Sequence, residues 1–278
     1  MTGDTKLGEI LDITKSIHFV EENGSDIERA RLRYVLYAAE PNPVILQPFL
    51  DLQNEDGGFP CNRVKDNLSS VNDTLNALWW MDELGMLDSP SAGNALDYLL
   101  SMQLEDGGWD EDPRILEKDL PSWIEPGNLI TQNYLSAYST YWLAMKGLRS
   151  SPGFLMALDY LDTQFQGKSL FKGYLHTTWI ASSVFLMAGE AYAQAAMVGL
   201  QTLIGRRMSD WQDSQLAWAL DCLGNASLPR DHLFVQMGIK ELSSRQALDG
   251  SWSSEDGEAH VVNGTIAALK AFKQYPPI

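Results

Sequence analysis

Cysteine is scarce. The 278 residues hold two, Cys61 and Cys222, far apart and at no metal-ligand spacing. Neither a disulfide framework nor a cysteine-rich metal site organises such a chain. Long apolar runs are missing as well. No stretch of eighteen apolar residues occurs, so no transmembrane segment is expected. The opening "MTGDTKLGEILDITKSI" lacks a basic segment followed by an apolar one. No secretory signal is expected, and a cytoplasmic location with reduced thiols is. Basic clusters are equally rare, the longest being Arg206-Arg207, and the net charge is −17 from 37 acids against 20 bases. A surface of that sign repels nucleic acid and anionic bilayers, which excludes both as partners. The acidity itself reads first as a solubility feature.

What is present is enough apolar matter for a substantial core, 45% of the chain, and a recurring turn. "LDLQNEDGGFP" carries Gln53, Asp56, Gly57, Gly58 and Phe59. "LSMQLEDGGWD" carries Gln103, Asp106, Gly107, Gly108 and Trp109. "LSSRQALDGSWS" carries Gln246, Asp249, Gly250 and Trp252. Two worn copies surround Gln164 and the pair Gln201 and Trp211. Recurrence at roughly 35 to 60 residues signals a repeat architecture. An apolar stretch of helical period precedes each turn and a more apolar one follows it, as in "AGNALDYLLSMQ" and "QNYLSAYSTYWLAMKGL". Gly85, Gly147, Gly189 and Gly224 are expected to stop the second set. An N-terminal pair lacks the turn. Twelve helices in six pairs follow, with no strand pattern. Helices that are apolar all round belong inside and amphipathic ones outside, which two concentric rings satisfy. In each turn glycine supplies φ > 0, the glutamine amide reaches orphan backbone groups at a neighbouring helix end, and the aromatic ring covers that bond.

The Gln-x-x-x-Gly-x-Trp pattern after an outer helix resembles the QW repeat of squalene-hopene and oxidosqualene cyclases, whose fold protein prenyltransferase β subunits share. "SQLAWALDCLG", residues 214 to 224, resembles an inner helix of squalene-hopene cyclases. The resemblance implies an all-α (α/α)6 barrel, a single domain over residues 1–278, with an apolar central cavity that takes isoprenoid chains. It also implies a terpene cyclase-like activity in which aromatic walls guide a carbocation. The family's Asp-x-Asp-Asp-Thr motif departs here. Ser70-Val71-Asn72-Asp73-Thr74 has Asn72 where the proton donor stands, and Asp210-Trp211-Gln212-Asp213-Ser214 has Gln212 there. An amide cannot deliver that proton, so the remaining acids Asp73, Asp210 and Asp213 are the catalytic candidates. Asp, Ser and Thr at these places equally suit helix caps. "YLHTTW" around His176 resembles the histidine stretch of the prenyltransferase zinc set, but no Asp-x-Cys accompanies it.

If the inner helices run parallel, residues of their first turns gather at one mouth. Asn72, Gln132, Tyr134, Tyr138, His176, Trp179 and Asn263 are expected there as substrate-binding residues, with Trp80, Trp142 and Trp218 deeper. Ring faces stabilise cations by roughly 1 to 2 kcal/mol each when desolvated, although the same rings equally serve packing. A proton donor needs a carboxyl whose pKa burial has raised, against helix dipoles that favour the ionised form. His176 and His260 are candidate bases. In the longest loop Asp110, Glu111 and Asp112 are weak candidates for Mg²⁺ beside a diphosphate, or a solvated acidic turn. Arg114, Lys118, Lys172, Arg206 and Arg207 are the cations near the mouth that would meet a diphosphate. The cyclases have two barrels, so a partner subunit supplying a second one is also expected. The alternative function is a non-catalytic barrel that binds an isoprenoid or a partner and has lost the acid.

Overall fold

The computed structural model describes residues 11–118, 123–166 and 170–277. Twelve helices alternate between two layers. The outer ones are α1 (Ile13–Asn23), α3 (Pro43–Leu50), α5 (Pro90–Ser101), α7 (Pro152–Phe165), α9 (Ala193–Ile204) and α11 (Leu233–Ser243). The inner ones are α2 (Asp26–Tyr37), α4 (Val71–Glu83), α6 (Leu129–Met145), α8 (Leu175–Ala188), α10 (Asp213–Asn225) and α12 (Val261–Gln274). Each inner helix packs on the next, α2 on α4 and onward to α12, and α12 returns to α2 to close the ring. The architecture is the all-α (α/α)6 toroid. One two-residue antiparallel pairing, Phe59–Pro60 with Ser69–Ser70, sits in the loop before α4.

Composition explains the layering. In α6 every residue from Asn133 to Ala144 is buried, and in α8 every residue from Thr177 to Phe185. Such helices need neighbours on all sides. Several outer helices begin with a side-chain cap that takes one free N–H of the first turn. Ser89 and Ser151 accept from the third residue of α5 and α7, each followed by proline at the first position, where its missing N–H costs nothing.

Three corners fasten the repeats identically. Gln103 Nε2 donates to Gly107 O at 2.9 Å and to Gly153 O at 2.8 Å, in the first turn of α7. Gln53 does the same to Gly57 O and to Ser91 O, at the start of α5. Gln246 reaches Asp12 O and Ser16 Oγ, so the last corner is clasped onto α1 and closes the circle. The ring beneath each glutamine is inaccessible. Trp109 and Trp252 donate from Nε1 to Leu99 O at 2.6 Å and Leu242 O at 2.8 Å, carbonyls near the end of the preceding outer helix. The N–H of each aromatic residue then donates to a hydroxyl on the following inner helix: Phe59 to Thr74, Trp109 to Ser136, Trp252 to Thr265.

Glycine is required here twice over. Gly57, Gly107 and Gly250 have φ of +89°, +91° and +93°. A Cβ at each would stand 2.3 to 2.5 Å from backbone of the next outer helix, at Asn94, Met156 and Lys15. The worn copies differ. Gln201 is exposed and makes no such clasp. Trp211 is buried nonetheless, stacked on Trp179 at 5.5 Å. The corner after Gln164 runs into residues 167–169, outside the described ones. Gly224 lies within α10 and does not end it; Ser227, with φ 61°, takes the left-handed conformation after that helix.

Candidate functional site

Every inner helix is reached through an antiparallel outer one, so the inner helices run parallel and their N-termini share one end of the ring. The three candidate acids lie at that end in three different environments. Asp213 is buried and fully engaged. Its Oδ1 accepts from Arg245 Nη1 at 3.1 Å, and its Oδ2 accepts from the Ser253 N–H at 2.9 Å and the Ser253 hydroxyl at 2.7 Å. Asp213 thus holds the last corner to α10. Asp210 is exposed on a short turn before α10. Asp73 is half-buried in the first turn of α4. Burial pushes its carboxyl above the ordinary range, against the Asn62 N–H, the Arg63 guanidinium and Ser70, which pull the other way.

Asn72 is buried beside it and its N–H is capped from another repeat. Glu111, 3% exposed, accepts from the Ser70 hydroxyl and the Val71 and Asn72 N–H groups, all at 2.8 Å. Burial raises the Glu111 carboxyl to about 7 despite these three donors. Among the described residues no group of three His, Cys, Asp or Glu side chains is placed to hold a metal ion. Glu111 is spent on the N-terminus of α4. Asp110 accepts from the Gly127 N–H and from Gln132 Nε2, and Asp112 pairs with Arg114. The three carboxylates turn to separate partners. Gln132, expected to bind substrate, is the amide that fixes Asp110.

Apart from Trp80, the expected aromatic residues form one cluster but do not share one surface. Tyr138, Trp142 and Trp179 are 1%, 3% and 0% exposed and pack between α6, α8 and α10. Tyr134 lies almost as deep, edge-on to Tyr174. His176 and Trp218 stay partly accessible, with ring centres 5.3 Å apart. Trp80 faces a different environment. Arg31 covers it at 4.6 Å and Arg63 at 4.5 Å, so cations already occupy the ring. Asn263 accepts from Arg31 Nη1 at 2.5 Å. His260 is exposed at the start of α12.

Two groups escaped sequence reading. Glu255 bridges the mouth: His176 Nε2 lies 2.9 Å from its Oε2, and Gln215 Nε2 donates to the same oxygen at 2.8 Å. It sits in a loop, where periodicity says nothing. The second group is charged and deep. Arg31 pairs with Glu83, both side chains inaccessible, and Lys270 bridges Asp82 and Asp221 at 2.6 and 2.8 Å. Burial lifts Asp221 to about 6 even beside that ammonium. The inner ring is thus aromatic across α6, α8 and α10 and ionic across α2, α4, α12 and Asp221 of α10, where an apolar cavity was expected. The signal was available: five charges punctuating inner-helix segments that otherwise read as core.

No protein-family profile matches the chain, and no curated protein matches it. Solved structures do. The type II terpene cyclase MstE from Scytonema, in a variant bound to its product merosterolic acid A, is 14% identical, with 94% of this chain and 95% of that chain covered and a TM-score of 0.62. Another MstE variant, holding its substrate geranylgeranyl dihydroxybenzoate, is 13% identical over 95% and 96%, with a TM-score of 0.63. A protein from Actinoplanes is 15% identical over 95% and 98%, also with a TM-score of 0.63. The chain has the terpene cyclase-like fold. Among the described residues no helix is long and apolar enough to cross a membrane.

Proposed function

We propose that this barrel binds a linear isoprenoid at the mouth of its inner ring and promotes its cyclisation, with Asp73 as the proton donor. The observation that carries the reading is the desolvated Asp73 carboxyl at the end of the ring where all inner N-termini meet. Of the three candidates it alone combines partial burial with a raised pKa and no ion pair. In the reaction the Asp73 proton adds to a terminal alkene, whose π pair forms the new C–H bond. The resulting cation is attacked by the next alkene, closing a ring, and a proton is lost at the end. The net change is an isomerisation. The partly accessible His176 and Trp218 offer ring faces to the cation, and Glu255 holds His176 in place.

A substrate with one polar end suits the lopsided interior better than squalene does. The MstE structure with geranylgeranyl dihydroxybenzoate supports that choice as an example of such a ligand on this fold. It also supports a single barrel, because nearly the whole MstE chain is covered by this one, and no partner subunit is invoked. The second reading, a binding barrel without turnover, is favoured by Asn72, which stands where the resembling family has its acid. Incubation with geranylgeranyl diphosphate, farnesyl diphosphate and squalene, with and without Mg²⁺, followed by mass spectrometry separates the two. A cyclised product lost in Asp73→Asn supports the enzyme; a bound but unchanged chain supports the binding barrel.

A further inference from the structure

Asp73 and Trp80 stand seven residues apart on α4, a spacing that puts both on one face of the helix. Trp80 is the expected ring that lies outside the aromatic cluster, and two guanidiniums lie over it. They are held differently. Arg31 is inaccessible and fixed by Glu83 and Asn263. Arg63, 4.5 Å from the ring centre, is exposed to solvent and among the described residues forms no ion pair. Desolvation by the surrounding protein nevertheless lowers its guanidinium, as it does for a side chain within a concave surface. The loop that carries it is strained. Asn62, Arg63 and Asp66 have φ of 58°, 55° and 70°, a region that side chains other than glycine rarely enter and that recurs where segments bind or move. The same loop reaches the acid. The Asn62 N–H donates to Asp73 Oδ2 at 3.2 Å, and the Arg63 charge favours the Asp73 anion.

We infer that Arg63 is a removable cover on this face of α4, one that an incoming chain lifts off Trp80 and that, in leaving, frees Asp73 to hold its proton. The inference rests on the reading of Asp73 as the proton donor, and it makes Arg63 a positioning residue that acts through Asp73 and Trp80. A guanidinium and a substrate cation want the same ring. Arg31 cannot move without leaving Glu83 buried and unpaired, so Arg63 is the cation that gives way. Once it is lifted, the groups around the Asp73 carboxyl are Cys61 and the Asn62 N–H from the same loop, Ser70, and Glu111 from the loop before α6. Burial of the carboxyl is then opposed only by the Asn62 and Ser70 hydrogen bonds. Entry of the chain and arming of the acid become one event.

NMR titration of ¹³C-labelled aspartate carboxyls, with the Asp73 signal assigned from Asp73→Asn, tests this in the resting protein. Arg63→Gln should move the Asp73 titration to higher pH, and Arg63→Lys, which keeps the charge, should stay near the wild type. Geranylgeraniol, an uncharged chain, should bind Arg63→Gln tighter by roughly twofold to fivefold, the equivalent of one exposed cation–π contact that no longer has to be broken. The melting temperature should hold, because Arg63 is exposed. An Asp73 titration in Arg63→Gln that coincides with the wild type, or geranylgeraniol binding that is equal or weaker in that variant, would overturn the inference. Binding of the chain by neither protein would count against the proposed isoprenoid function and leave the titration to decide on Arg63. Turnover retained in Asp73→Asn would remove Asp73 as the donor, and the titration would still report whether Arg63 governs its proton.

Discussion

At the residue scale, Trp109 joins fold to chain. Its ring is wholly buried and its Nε1–H satisfies a helix-end carbonyl. Trp109→Ala should cost about 3 to 4 kcal/mol and lower the melting temperature accordingly. Trp109→Phe keeps most of the ring but loses the Nε1 donor to Leu99 O, which keeps the Met102 N–H, and should cost about 1 kcal/mol. An unchanged melting temperature in the alanine variant would remove the clasp role. Glu111 is a second residue with a measurable signature. Burial holds its carboxyl near 7, above its ordinary unfolded value, so the folded state favours the proton. Its contribution to stability is fully present at pH below about 4.5 and is lost as pH rises through 7. Chemical denaturation at a series of pH values should show that decline, and Glu111→Gln should flatten it. A slope identical in the variant would show that other groups are responsible.

At the element scale, the corners differ in what they hold. Gln103 satisfies carbonyls in its own turn and in α7, so Gln103→Ala should destabilise by about 1 to 2 kcal/mol. Gln201 is exposed, and Gln201→Ala should stay within about 0.5 kcal/mol. Equal effects in the two variants would mean that the worn corner works like the intact ones. Sequence reading reached this level because each corner is local: a glutamine, a glycine forced to φ > 0 and an aromatic ring lie within seven residues. The alternation of amphipathic and all-apolar helices was equally legible, since burial on one side or both leaves a period in the chain. The site was not. The groups that engage Asp213 are Arg245 and Ser253, 32 and 40 residues beyond it. Glu111 reads as part of an acidic surface turn, yet it caps a helix 40 residues earlier. Charges such as Glu83 and Lys270 find each other only once the ring has closed.

At the scale of the whole molecule, twelve helices enclose an interior with an aromatic side and an ionic side. Its mouth carries Asp73 and, more deeply buried, Glu111. The ionic side is bought with desolvation, and breaking it in half should be expensive. Glu83→Gln leaves Arg31 buried without its counter-charge and should cost about 3 kcal/mol or more, read as a lowered melting temperature. The central claim is that Asp73 starts a cyclisation by delivering a proton. A reaction started that way, run in D₂O, places one solvent deuteron on the carbon where the ring-forming cation began. Mass spectrometry of the product should show that single deuterium, with no product from Asp73→Asn. A cyclised product free of deuterium, or one formed equally well by Asp73→Asn, would contradict the account.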